Sequence, residues 1–277
     1  MTELCNKLNL FCQHDYHKIL SGMKYLDIVK RLSFVKAMPA YIKPSNWRHF
    51  INNFCNFRKL NADTEKRFTL NWTDIYPCLS DRALKTQFDR HYVYHIGWAA
   101  RILAKLKPAF HVDISSNLHF CSVVSAFIPV KFYDFRPADL NLSQLSVDRA
   151  DLVSLPFEDN SVHSLSCMHV VEHVGLGRYG DPLDPDGDLK AIGELQRVLA
   201  TGGSLLFVVP VGKPKIMFDA HRIYSHEHII SHFDRLNLKE FALISDDPEE
   251  NGIIYDATPK LANAQDYGCG CYWFQKP

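Results

Sequence analysis

Two imidazoles and a carboxylate stand together in His169-Val-Val-Glu172-His173, and further carboxylates at Asp134 and Asp151 accompany short apolar runs. An imidazole titrates near neutral pH, so His173 suits a general base that takes a proton from a hydroxyl, with Glu172 as the other candidate. Downstream lies a proline-stiffened loop, Gly177-Arg178-Tyr179-Gly180-Asp181-Pro-Leu-Asp184-Pro-Asp186-Gly-Asp188, and then Asp219-Ala-His221-Arg222-Ile-Tyr224. Arg178 suits an anionic group, and Asp181 and Asp184 suit the gripping of hydroxyls. Plainer roles compete throughout. Asp134 can open a turn before Pro137 with Arg136 as partner, Asp151 can be a turn residue, and His173 can simply hold its loop.

These groups need a frame. From Phe110 onward short apolar runs alternate with helical patterns: strands at Phe110–Ile114, Val130–Phe135, near Asp151, Val162–His169 and Ser204–Pro210, with helices near Leu118–Phe127 and Leu189–Leu199. Such alternation implies a parallel sheet covered by helices on both faces. A helix near Glu227–Leu236 and two further strands, Leu238–Ser245 and Gly268–Gln275, complete the series. In a sheet of this kind ligands bind beyond the carboxyl ends of the strands, where Asp134 and His169 fall.

The 277 residues, 47% hydrophobic and 22% charged, suffice for one large core with an elaboration. Residues 81–277 read as a catalytic domain and residues 1–80 as a basic, helical or irregular N-terminal extension. Within the extension, Ile19, Met23, Leu26, Val29, Leu32, Val35 and Met38 follow a helical period, while residues 40–80 read as irregular. A helix is expected from Asp81 to Lys107, stopping at Pro108. Lys+Arg and Asp+Glu each number 31, so no global field recruits nucleic acid. Residues 1–60 are nevertheless net +7 and the remainder −7. That end is either a solvated face or a surface for anionic lipid or a glycan-assembly partner. None of the eight cysteines forms a Cys-x-x-Cys pair, and Cys269 and Cys271 read as small core residues sharing one face of a strand. With no apolar run of the ~20 residues that cross a bilayer, a cytoplasmic location is expected, with peripheral association at the inner membrane face as the variant.

The segment Ala150-Asp-Leu-Val-Ser-Leu-Pro-Phe-Glu-Asp-Asn-Ser, followed by a strand ending Met168-His-Val-Val-Glu-His-Val174, resembles class I S-adenosylmethionine-dependent methyltransferases. Within them it resembles a subgroup associated with surface-polysaccharide biosynthesis. The resemblance covers residues 110–275. It implies an α/β, Rossmann-like, doubly wound sheet of seven strands, mostly parallel with the last antiparallel, and S-adenosylmethionine as cofactor. Carried over residue by residue, it implies cofactor contacts from Asp113, Ser115, Ser116 and Asn117 after the first strand. It implies the same of Asp134 and Phe135 after the second, Asp151 and Leu152 near the adenine, and His169. The chain departs from the pattern by lacking glycines at Ser115-Ser116-Asn117. His173, Glu172 and Asp181 become the catalytic candidates. Arg178, Tyr179, Asp184, His221, Arg222 and Tyr224 become contacts to a sugar hydroxyl of a polysaccharide or carrier-linked glycan, and no metal is implied. Two alternatives remain. One is a scaffold that kept the fold and lost the cofactor. The other is a zinc peptidase, because His169-Val-Val-Glu172-His173 matches H-x-x-E-H; it would need both His on one continuous helix.

Overall fold

The computed structural model describes residues 44–62, 67–247, 249–250 and 252–277. The expected helix at 17–38 and most of the basic residues of 1–60 lie outside them. The chain divides into two compact units between Gln87 and Phe88.

In the first unit the irregular reading of 40–80 is corrected by helix α1, Pro44–Ala62. Proline is tolerated in the first helical turn because its missing N–H has no partner to lose there. Trp47, Phe50, Phe54 and Phe57 recur at helical spacing, and Trp72 packs edge-on against Phe54 at 5.0 Å between ring centroids. From residue 67 onward the unit holds only the short 3₁₀ turn Trp72–Asp74.

In the second unit the helix expected from Asp81 begins only at Arg90: α2, Arg90–Leu106, is capped by the Asp89 carboxylate accepting from the Tyr92 N–H, which sets its start. Then follow β1 His111–Ile114, α3 Leu118–Val124, β2 Val130–Asp134, β3 Leu145–Arg149 and β4 Val162–Met168. Next come α4 Gly187–Val198, β5 Leu199–Val211, β6 Lys215–Met217, β7 His221–Ile223 and α5 His226–His232. The unit ends with β8 Asn237–Ile244, β9 Ile254–Tyr255, α6 Pro259–Ala264 and β10 Gly268–Gln275. The third strand thus precedes Asp151, which sits in a turn bridged to Ser154.

Eight strands form one sheet in the order β3-β2-β1-β4-β5-β10-β8-β9, one more than expected, and β6-β7 form a small ribbon. The strands from β3 to β5 are parallel, while β10 runs antiparallel between β5 and β8. This is the doubly wound Rossmann-like architecture with an added edge strand, β9. Alternation along β5 shows how the sheet is buried on both sides. Leu205, Phe207, Val209 and Val211 face a core with Ile192 and Leu195 of α4 and Phe233. Leu206 and Val208 face the opposite core, with Trp98, Leu103, Phe120 and both Cys269 and Cys271.

One polar chain crosses this apolar interior. The Ser164 hydroxyl donates to His111 Nδ1 (2.8 Å), His111 Nε2–H donates to Ser166 Oγ (2.8 Å), and Ser166 donates to the Asp113 carboxylate. Burial pushes the His111 imidazole from 6.5 down to about 3 and raises the Asp113 carboxyl to about 6. The two act oppositely on stability. The unfolded His111 binds a proton first as pH falls below 6.5, so its contribution is lost down to pH 3 at up to ~1.4 kcal/mol per pH unit. Folded Asp113 binds a proton first between pH 6 and about 3.8, which offsets part of that loss. Denaturant midpoints measured from pH 6.5 to pH 3 are expected to fall less steeply in His111→Asn than in the wild type. An unchanged slope in that variant would refute the assignment.

Candidate active site

A cavity of about 270 Å³ opens beyond the carboxyl ends of β1, β2 and β4. Ser115, Asp134, Phe135, Asp151, Leu152 and His169 line it, joined by His173, Tyr179 and Asp181. The sheet order reverses between β1 and β4, so the cavity lies at the topological switch point. Nine residues singled out from sequence therefore meet on one surface.

The turn after β1 explains how a glycine-free segment keeps this cavity open. Ser115 takes φ +56, the left-handed region that glycine occupies without strain. Its N–H donates to Tyr133 O at 2.7 Å, which ties the turn to β2. Asp113 is fully buried and does not line the cavity. Its Oδ1 accepts from the Ser116 N–H at 3.0 Å. Ser116 Oγ in turn accepts from the Met168 N–H at 3.0 Å. Asn117 caps α3, accepting from the His119 N–H at 2.8 Å. Asp113, Ser116 and Asn117 thus build the turn, and among these four Ser115 alone lines the cavity.

At β2 the Asp134 Oδ1 accepts from the Arg136 N–H at 2.7 Å, leaving its second oxygen to the half-buried cavity wall. Asp151 is held in the same way by the Val153 N–H at 3.1 Å. Both turn readings are geometrically present, yet each carboxylate has an oxygen to spare.

Beyond β4 the chain turns sharply: His169 has φ +58 and only Val171–His173 forms a 3₁₀ turn. This removes the H-x-x-E-H peptidase geometry, which needs both His on one continuous helix. His169 Nδ1–H donates to Glu172 Oε1 at 2.9 Å, whereas His173 Nδ1–H donates to Ala220 O at 2.5 Å. Because a carbonyl only accepts, His173 Nε2 keeps its lone pair. Burial lowers the His173 imidazole below its ordinary range, so it is neutral near pH 7. Glu172 lies beneath the cavity, 1% exposed, and burial raises its carboxyl to about 7 despite the nearby His173.

The loop after this turn is held by groups expected to touch substrate. Asp181 accepts from the N–H groups of Gly175 (2.7 Å), Tyr179 (3.2 Å) and Gly177 (3.4 Å), so its carboxylate shapes the loop even though it lines the cavity. Asp184 pairs with Lys190 at 2.5 Å. Arg222 is buried and donates to Val174 O at 2.6 Å and Pro185 O at 3.1 Å. The Tyr224 hydroxyl donates to Asp188 Oδ2 at 2.9 Å. Asp184, Arg222 and Tyr224 are therefore structural braces away from the cavity. Asp188, read in sequence as the helix cap, is that buried brace, and Asp186 occupies the cap. His221 and Arg178 lie beside His173 without lining the cavity: the His221 ring is 6.3 Å away, and Arg178 Nη1 shares the Ala220 carbonyl at 3.2 Å. Tyr179 closes the rim, with its ring under the Arg136 and Arg178 guanidinium groups at 4.7 and 5.1 Å.

Gly175 fixes the base of this loop. At φ +81 an added Cβ would lie 2.0 Å from Asp184 O, whereas at Gly180, φ +84, nothing stands within 4 Å. Gly175→Ala is expected to destabilise by at least ~2 kcal/mol, and Gly180→Ala by only ~1 kcal/mol of backbone strain. Equal denaturant midpoints for the two variants would refute the close approach.

Sequence reasoning missed several residues here. Arg136 entered only as a partner for Asp134, yet it lines the cavity with Val170 and Val174. A second omission is an aromatic cluster: the His169 ring lies 5.5 Å from His91, 5.5 Å from Tyr92 and 5.1 Å from His95. The i, i+4 spacing of His91 and His95 was its sequence signal.

A family model described as Caenorhabditis protein of unknown function, DUF268, matches residues 154–243. No curated protein matches the chain. Among solved structures the chain is similar to the N-methyltransferase NodS of Bradyrhizobium japonicum WM9 in complex with S-adenosyl-L-homocysteine. Identity is 13%, over 66% of this chain and 85% of that one, with a TM-score of 0.46. It is similar to a SAM-dependent methyltransferase of Thermotoga maritima at 15% identity, over 68% and 92% of the two chains, TM-score 0.45. It is also similar to the [4+2]-cyclase SpnF at 13% identity, over 66% and 81%, TM-score 0.46. These likenesses are distant, and function is argued from the site instead.

Proposed function

We propose that the chain is an S-adenosylmethionine-dependent O-methyltransferase whose acceptor is a sugar hydroxyl of a polysaccharide or carrier-linked glycan. The observation that carries the cofactor reading is the meeting of Asp134, Asp151 and the left-handed Ser115 turn on one cavity at the strand ends. Two carboxylates, each with one oxygen tied to backbone and one free, fit a ligand bearing a diol at one end and an amino-substituted ring at the other. Asp134 would accept from the ribose hydroxyls and Asp151 from the adenine amino group, with Phe135 and Leu152 as apolar walls. The small Ser115 lets the backbone approach the methionine end.

When bound, the cofactor supplies an electrophilic methyl group on sulfur. The chain's own part is to orient the acceptor and remove its proton. His173 Nε2 is the base on this reading, since its Nδ1–H is committed to Ala220 O and its tautomer is set. His221, Arg178 and Tyr179 beside it form the polar and aromatic surface for the acceptor. A sugar hydroxyl is favoured because this rim is rich in hydrogen-bonding side chains. Isothermal titration with S-adenosylhomocysteine tests the cofactor reading directly: submillimolar affinity supports it, and absence of heat at submillimolar ligand refutes it.

A further inference from the structure

We propose that His91, His169 and Cys269 bind one zinc-class transition-metal ion at the edge of the cavity. The His169 and Cys269 ligand atoms are a hundred positions apart in sequence, yet His169 Nε2 lies 3.4 Å from Cys269 Sγ. The ligand atoms of all three residues fall within 4.8 Å of one another. Tetrahedral zinc with nitrogen at ~2.0 Å and sulfur at ~2.3 Å separates its ligand atoms by about 3.3 to 3.6 Å. The His169–Cys269 pair is already at that spacing, and the proposal requires the half-buried His91, now stacked on Tyr267 at 4.9 Å, to turn toward the pair.

The surroundings match what such an ion requires. His169 Nδ1–H donates to Glu172 Oε1 at 2.9 Å, so Nε2 is the lone-pair nitrogen facing the sulfur. A carboxylate behind a ligating imidazole fixes its tautomer and orientation. The left-handed backbone at His169, unusual for a non-glycine residue, is what carries the ring off the β4 strand end to meet the first turn of α2 and the start of β10. The His95 ring packs 5.1 Å from that of His169; it is fully buried, donates through Nδ1 to His91 O at 2.6 Å, and its Nε2 has no hydrogen-bond partner among the described residues. Two imidazoles and a thiolate select zinc, cobalt or copper over magnesium or calcium, which prefer oxygen. The inference does not depend on the cofactor reading, because none of the three ligand atoms comes from a bound cofactor.

Cobalt(II) titration of the chelator-treated full chain reads the site through its thiolate. One equivalent is expected to produce a near-ultraviolet sulfur-to-cobalt charge-transfer band with visible bands of tetrahedral cobalt, and zinc is expected to displace both. Cys269→Ser should abolish the near-ultraviolet band, His91→Ala should weaken cobalt affinity by at least ~10-fold, and Cys78→Ser, at an exposed thiol, should change neither. The His91 variant carries the test if Cys269→Ser does not fold. Absence of the band in the wild type would overturn the proposal and leave a plain S–H···N hydrogen bond. So would a band that survives both Cys269→Ser and His91→Ala.

Discussion

His173→Gln is expected to lower methyl transfer by about 10² to 10⁴-fold while leaving the affinity for S-adenosylhomocysteine nearly unchanged. Glutamine preserves much of the side-chain volume and can still donate to Ala220 O, but it has no lone pair able to take a proton. The measurement is S-adenosylhomocysteine release against glycan acceptors on which the wild type turns over. The wild-type profile carries a sign as well. Burial holds the His173 imidazole below its ordinary 6.5, so the base is already neutral above that pH and activity falls only on the acid side. The groups facing the imidazole are Glu172, which opposes the lowering, and Arg178 and His221, which reinforce it. A variant retaining full rate, or losing rate only in proportion to lost cofactor affinity, would show that His173 merely supports its loop.

Asp134→Ala is expected to weaken S-adenosylhomocysteine by on the order of 100-fold. Two hydrogen bonds to a charged acceptor contribute roughly 1.5 to 3 kcal/mol each, and one of them exceeds a tenfold change by itself. The loss also frees the Arg136 N–H now tied to Oδ1, so a thermal melt of the unliganded variant must accompany the titration. Asp151→Asn keeps one oxygen acceptor at a more exposed position, and its loss should be smaller. Equal affinities for wild type and Asp134→Ala would place the ligand elsewhere, even if the cavity binds something.

Taken residue by residue, the two readings of the chain divide along physical lines. The alternation of apolar runs made the seven main strands and their crossover helices legible, with β10 at its observed bounds, whereas the ribbon β6-β7, the edge strand β9 and helix α6 were not read. Local turn chemistry made Asp134 and Asp151 legible as well, because a carboxylate at a strand end or turn is a local event. Helix α1 was not legible: Pro44 and a run of asparagines argue for irregular chain, and the aromatic stripe overrides them only once Trp72 is there to pack on. The missing glycines were misleading for the same reason. Ser115 can hold a left-handed turn because its own N–H is tied to Tyr133 O on β2 and the adjoining Ser116 is pinned by Asp113 and by Met168 of β4.

Side-chain roles in the loops depended most on tertiary structure. Arg222, Tyr224 and Asp184 have the chemistry of substrate contacts, and only their folded partners, Val174, Asp188 and Lys190, show them spent on bracing. By itself the sequence determined a doubly wound sheet and the carboxylates and histidines at its strand ends, because hydrophobic period and turn preference are encoded over a few residues. The fold alone decided which of those groups face the cavity. It alone brought His91, His169 and Cys269 together, because contact between residues 78 or more positions apart is set by strand order and packing.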